Sequence, residues 1–238
     1  VEVTDELGFG KTHGWWYSLY AADIDKDGDK DIIAGNLGLN FKHNVKNNEV
    51  FEVYYSDFDV NGSSDIVFAY SEKGIKYPAN SYSATTKQIP IIMQRYQKVE
   101  SFANATLEEI YGKKMLESSL HYSVNTFTSV WLENLGNGSF KTHNLPEMAQ
   151  FSSINAVEEI VYENKPAWVI AGNLFQTEVE TPRNDGSVGL VLTYDENKIK
   201  SVFPAESRLM LRGEVKALKI IKLANGKKGL LVATNNEK

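Results

Sequence analysis

The nine residues Asp23-Ile24-Asp25-Lys26-Asp27-Gly28-Asp29-Lys30-Asp31 place carboxylates at positions 1, 3, 5 and 9 of a short loop, with glycine at position 6. A calcium ion takes about six to eight oxygen ligands, and a tight loop supplies them only where alternate residues turn inward. Glycine at position 6 permits the sharp turn, and Asp29 at position 7 is expected to offer its backbone carbonyl. Close carboxylate pairs repel by roughly 1–4 kcal/mol each at effective dielectrics between about 80 and 20. Lys26 and Lys30 offset little of this if they point to solvent, whereas a divalent ion turns the repulsion into cohesion. The run Asp57-Phe58-Asp59-Val60-Asn61-Gly62-Ser63-Ser64-Asp65 repeats the arrangement with Asn61 replacing one carboxylate. One charge fewer implies weaker binding there. The spacing predicts two calcium sites, one at Asp23, Asp25, Asp27, Asp29 and Asp31, the other at Asp57, Asp59, Asn61, Ser63 and Asp65.

Short apolar stretches flank both loops. Residues 19–36, 53–70, 154–173 and 215–236 share one plan: an apolar strand, a polar loop, then a second apolar strand ending near Gly-Asn or Asn-Asn. Such short runs of Ile, Val, Leu and aromatics read as strands. An EF-hand would need helices on both sides and a bidentate Glu at position 12. Position 12 is Ala34 in one loop and Phe68 in the other, so that motif is rejected. Two more hairpins are expected, 130–134 with 139–143 and 189–194 with 198–203. Repeated hairpins predict an all-β β-propeller of about three to four blades. Between them, Ile92, Met93, Tyr96, Val99, Phe102, Leu107, Ile110 and Leu116 recur at helical spacing, and Thr106 with Glu109 reads as a capping box. A helical insertion of two helices is expected over 89–119, capping one face of the sheet structure. The whole chain, 1–238, is read as one propeller region. It is expected to be a processed chain or a fragment of a larger propeller, because Val1 is not preceded by Met or a leader and both ends fall in repeat-like sequence.

The loop D-x-D-x-[DN]-G-x-x-D between two short strands resembles the FG-GAP repeat of integrin α-subunit propellers and the related VCBS repeat. The segment 15–40, with its IIAGNLGLN tail, and the WLENLGNGSF segment are similar to bacterial VCBS-repeat proteins of the cell surface. Residue by residue, Asp23, Asp25, Asp27 and Asp31, then Asp57, Asp59, Asn61 and Asp65, fall on the metal positions of that repeat. The third and fourth hairpins depart from it: they keep the turn and lose the carboxylates, and Lys222, Lys227 and Lys228 disfavour a cation in the fourth. The resemblance implies a calcium-stabilised propeller outside the cell, of bacterial surface or secreted type.

The run from Thr177 to Asp185 is the other dense polar segment. If it were a strand, Glu178 and Glu180 would share a face, with Arg183 and Asp185 beside them as ligand-binding groups or a neutralising network. The four histidines show no ligand-like spacing, and no catalytic residue is assigned. Cysteine is absent, which excludes thiolate metal sites, thiol nucleophiles and disulfides. The net charge of −6 argues against a nucleic-acid surface, and no apolar run reaches the length of a transmembrane segment. These readings converge on a calcium-binding adhesion module that recognises protein or polysaccharide, partnered by the remaining blades or by other subunits. The alternatives are a polysaccharide-active lyase or hydrolase on the same scaffold, with Glu178, Glu180 and Arg183 as its groove, and a structural subunit of a surface assembly.

Overall fold

A computed structural model describes residues 2–43, 45 and 49–235. Among these residues the chain is mostly β, with 14 strands in four antiparallel sheets. It divides into two compact units: Val1–Lys42 with Thr126–Lys238, and His43–Asn125. The first unit opens with β1 (Ser18–Ala22) and β2 (Asp31–Gly35), joined by the first acidic loop. The second unit then contributes β3 (Phe51–Ser56), β4 (Asp65–Glu72) and β5 (Ile75–Pro78). Five short helices follow: α1 (Tyr82–Gln88), α2 (Ile91–Arg95), α3 (Val99–Ala103), α4 (Leu107–Tyr111) and α5 (Lys113–Ser118). The unit closes with β6 (Leu120–Val124). The first unit resumes with β7 (Val130–Asn134), β8 (Phe140–Asn144), β9 (Ile154–Tyr162) and β10 (Lys165–Gly172). It ends with β11 (Leu190–Asp195), β12 (Lys198–Val202), the helical turn α6 (Pro204–Ser207), β13 (Val215–Lys222) and β14 (Lys228–Thr234).

All four stretches of shared plan fold as antiparallel hairpins. Asn236, which closes the fourth, lies outside the described residues. The two further expected hairpins are β7–β8 and β11–β12. β7 pairs with β2, giving a sheet of order β1-β2-β7-β8, and the chain runs through the entire second unit between those two adjacent strands.

Within the first unit the sheets stack by strict alternation of side chains. In β10, Trp168 and Ile170 face a core shared with Ile33 and Trp131 of the first sheet, while Ala167, Val169 and Ala171 face Val215 and Leu218 of β13. The sheet of order β12-β11-β10-β9 is thus covered on both sides, which is why β10 reads as the unbroken apolar run Ala167-Trp-Val-Ile-Ala. The Gly-Asn endings have a packing cause. A Cβ on Gly35 would lie 2.3 Å from the Ile154 carbonyl oxygen, and one on Gly172 would lie 1.8 Å from that of Ser153. Next to them, Asn36 donates from Nδ2 to the Thr126 and Thr128 carbonyls, and Asn173 donates to those of Ser187 and Gly213. Each Asn therefore clamps its strand end to later segments of the chain.

In the second unit the sheet runs β5-β4-β3-β6, and its Tyr54, Val67 and Ala69 pack beneath Ile89, Ile92, Phe102, Leu107, Ile110 and Leu116. The helical segment does cap one sheet face, but it begins at Tyr82 and holds five helices instead of two. Because each helix is only five to seven residues long, the apolar phase resets at every break; Met93 and Val99, which continue the 3.6-residue period on paper, are exposed. The capping box forms as expected: the Thr106 N–H donates to the Glu109 carboxylate at 2.8 Å, and the Glu109 N–H donates to Thr106 Oγ1 at 3.3 Å.

Candidate metal centres

Both acidic loops leave one strand and re-enter the next with the same backbone course. Position 4 is left-handed in each, at Lys26 (φ 69°) and Val60 (φ 58°), and so is the glycine at position 6, Gly28 (φ 103°) and Gly62 (φ 89°). Nothing crowds either glycine, so its requirement is conformational: an L-residue is strained at such angles. Position 9 closes both loops by one bond of the same kind. Asp31 Oδ2 accepts from the Ile24 N–H at 3.0 Å, and Asp65 Oδ2 accepts from the Phe58 N–H at 3.0 Å. Position 5 caps the turn after the glycine, as Asp27 Oδ1 accepts from the Asp29 N–H (3.1 Å) and Asn61 Oδ1 from the Ser63 N–H (2.7 Å).

These turns gather acceptors. Carboxylate oxygens of Asp23, Asp25 and Asp27 lie within 4.8 Å of one another, as do those of Asp57, Asp59 and Asp65. Either cluster could hold a metal ion. Three loop oxygens, Asp23 Oδ1, Asp29 Oδ1 and Asp59 Oδ1, are shut off from solvent and accept no hydrogen bond. A carboxylate oxygen deprived of both water and donors is costly, and an oxygen-seeking cation removes that cost; the donor set fits a hard divalent ion. Electrostatics agrees at the first loop. Burial pushes the Asp25 carboxyl above its usual range, the Asp27 N–H offsets part of this, and the charges of Asp31, Asp27 and Glu133 add to it. Burial also raises Asp29, reinforced by Asp27, Asp31 and Asp23. Lys26 and Lys30 are exposed and form no ion pair with the loop among the described residues.

The two loops differ in how position 9 is anchored. Asp31 is fully buried, and its Oδ1 accepts from the Asn134 N–H of β7 at 2.8 Å; the Asn134 side chain also donates to the Lys30 carbonyl at 3.2 Å. Asp31 lies outside the Asp23–Asp25–Asp27 group and serves as a clasp between loop and sheet. Asp65 instead accepts from Gln88 Nε2 of α1 at 3.3 Å while remaining in its cluster. Asn134 and Gln88 escape a reading by sequence because they act across 103 and 23 residues. The hairpin β9–β10 turns in two residues, Glu163 and Asn164, and β13–β14 turns through Leu223–Lys227 without a carboxylate.

No family model, curated protein or solved structure matches this chain. The argument for its chemistry therefore rests on its own residues.

The second polar run folds differently from its expectation. Residues 178–181 form a turn, closed by the Thr181 N–H donating to the Glu178 carbonyl at 2.9 Å, so Glu178 and Glu180 do not line one strand face. The Glu178 carboxylate accepts from the Glu180 N–H at 2.8 Å, from the Thr181 hydroxyl, and from Lys42 Nζ at 3.1 Å. Burial pushes this carboxyl up, but those bonds outweigh it and hold it below the usual range. Arg183 lies 4.6 Å over the Phe175 ring and 3.4 Å from Asp185. The four residues are engaged in local contacts, with no convergent acid pair. Of the histidines, His143 pairs with Glu133 at 2.6 Å and stacks on Trp131 at 4.6 Å, while His121 pairs with Glu52 at 2.8 Å.

Proposed function

We propose that this chain is a calcium-stabilised binding module of FG-GAP/VCBS type that works outside the cell, at a bacterial surface or in secreted form. The observation that carries the reading is the repetition, in two separate units, of one loop conformation with the same acceptor positions and with buried oxygens that no donor reaches. Asp23, Asp25 and Asp27 would hold one ion, and Asp57, Asp59 and Asp65 the other, with Asn61 and the position-7 residues Asp29 and Ser63 as further oxygen donors. Calcium supplies charge neutralisation and fixes the loop; extracellular modules of this kind bind it at about 10⁻⁴–10⁻³ M. Four-stranded antiparallel sheets that stack by alternating faces support a propeller arrangement, with further blades or partner subunits as its neighbours. Protein or polysaccharide is the ligand class. The engagement of Glu178 and Arg183 in local bonds favours binding over glycan cleavage. Among the described residues no helix is long and apolar enough to cross a membrane.

Equilibrium dialysis against radioactive calcium tests the metal assignment. The reading predicts two ions per chain, one after Asp25→Ala, and none after Asp25→Ala with Asp59→Ala. Binding unchanged by both substitutions, or absent in the wild type at millimolar calcium, would overturn it.

A further inference from the structure

The second unit shows one sheet face to its helices and the other to solvent. Tyr54, Val67 and Ala69 take the helix side, so by alternation Tyr55, Ile66, Tyr70, Leu120 and Tyr122 take the other. Register makes these residues neighbours: Tyr55 lies between Ile66 and Leu120, and Tyr122 is next along β6, opposite Val53. No charged residue stands among the outward positions of β3 and β6, or of β4 from Ile66 to Tyr70. Yet Tyr55 is 47% exposed, Ile66 47%, Tyr70 40%, Leu120 53% and Tyr122 63%.

Single exposed apolar side chains are ordinary, but a contiguous uncharged face is not. These five leave roughly 400 Å² of apolar surface open, near the largest patch of a typical monomer. A standard interface buries about 800 Å² per partner, so the patch is the size of an interface centre, with the polar ends of the strands as its rim. We propose that this face packs against the same face of a second copy of the chain, forming a two-fold symmetric dimer. A flat sheet face is complementary to itself, since sheets pack face to face about 10 Å apart, and an isologous contact requires one self-complementary patch. Lack of charge fits a like partner: homodimer interfaces are the more apolar class, with charged residues depleted at their centre. A partner chosen by charge would find nothing to pair with here. The inference does not depend on the calcium reading.

Sedimentation equilibrium of the full chain between about 1 and 100 μM, with calcium present, is the test. The expected result is a dimer that dissociates on dilution. Leu120→Glu with Tyr122→Glu should weaken it at least about tenfold while leaving the melting temperature of the second unit within a few degrees; Val179→Glu, in the first unit and fully exposed, should leave the dimer intact. Hydroxyl-radical footprinting of the wild type needs no variant to fold: Tyr122 should become protected as concentration rises, and Val179 should not. A wild-type monomer at 100 μM, a dimer that survives the double substitution, or a Tyr122 already protected at the lowest concentration would each overturn the proposal.

Discussion

Asp25 and Asp31 sit six residues apart in one acidic loop and do different work. Asp25 belongs to the oxygen cluster, whereas both oxygens of Asp31 hold backbone N–H groups, of Ile24 and of Asn134. Asp31→Ala should therefore destabilise the chain by about 2–4 kcal/mol even in chelator, because it strands two N–H groups at a buried site. Asp25→Ala should cost little in chelator and lose the calcium response at that loop; denaturant unfolding with and without calcium separates the two. The sequence shows that both are acidic at alternating positions, but not that one of them is a clasp, since its partner Asn134 arrives from a strand 103 residues later. Glu214 offers a residue-level test independent of metal. It is buried; desolvation raises its carboxyl, but Lys216 at 2.7 Å and Asn235 at 2.9 Å outweigh that and hold it below 4.5. A depressed carboxyl stabilises the fold fully above its unfolded value and loses this as pH falls through its folded value. Glu214→Gln should cost about 1 kcal/mol at pH 7, and that difference from wild type should fade below pH 4.5.

At the level of elements, period-2 apolar patterning located the hairpins well, because each strand has at least one face on a core. β10 was legible as an unbroken apolar run because both of its faces are covered. Helices were less legible: a 3.6-residue period marked the segment but not its five breaks, which are set by local caps such as Thr106 and by the sheet beneath. The stretch 177–185 misled, since Glu and Thr at alternate positions mimic a strand while Thr181 and Glu178 close a turn. The Gly-Asn endings carried more information than their repetition suggested. Gly172→Ala should destabilise the first unit by roughly 3 kcal/mol or more, because its methyl group would meet the Ser153 carbonyl with no flexible side chain to yield. Thermal melting should show the loss in the first unit.

For the whole molecule, the second unit enters between two strands that pair with each other. Gly38 donates to the Phe127 carbonyl at 2.9 Å and Asn36 to that of Thr126 at 3.1 Å, so the ends of the inserted segment meet at the edge of the first unit. Replacing 43–125 by a Gly-Ser linker of about four residues should leave the first unit folded, with its near-ultraviolet tryptophan signal intact and one calcium site remaining. Loss of cooperative unfolding in that shortened chain would show that the units depend on each other. Nothing in the residue pattern announces this division, because both units are made of the same kind of hairpin.

Thermal melting of the full chain in 10 mM calcium and in chelator, for the wild type and for Asp25→Ala with Asp59→Ala, bears most directly on the central claim. With site affinities near 10⁻⁴–10⁻³ M, calcium should raise the wild-type melting temperature by roughly 5 °C and leave the double variant unmoved. A wild type that melts identically in calcium and in chelator would contradict the account, leaving the two loops as acidic turns that hold no ion.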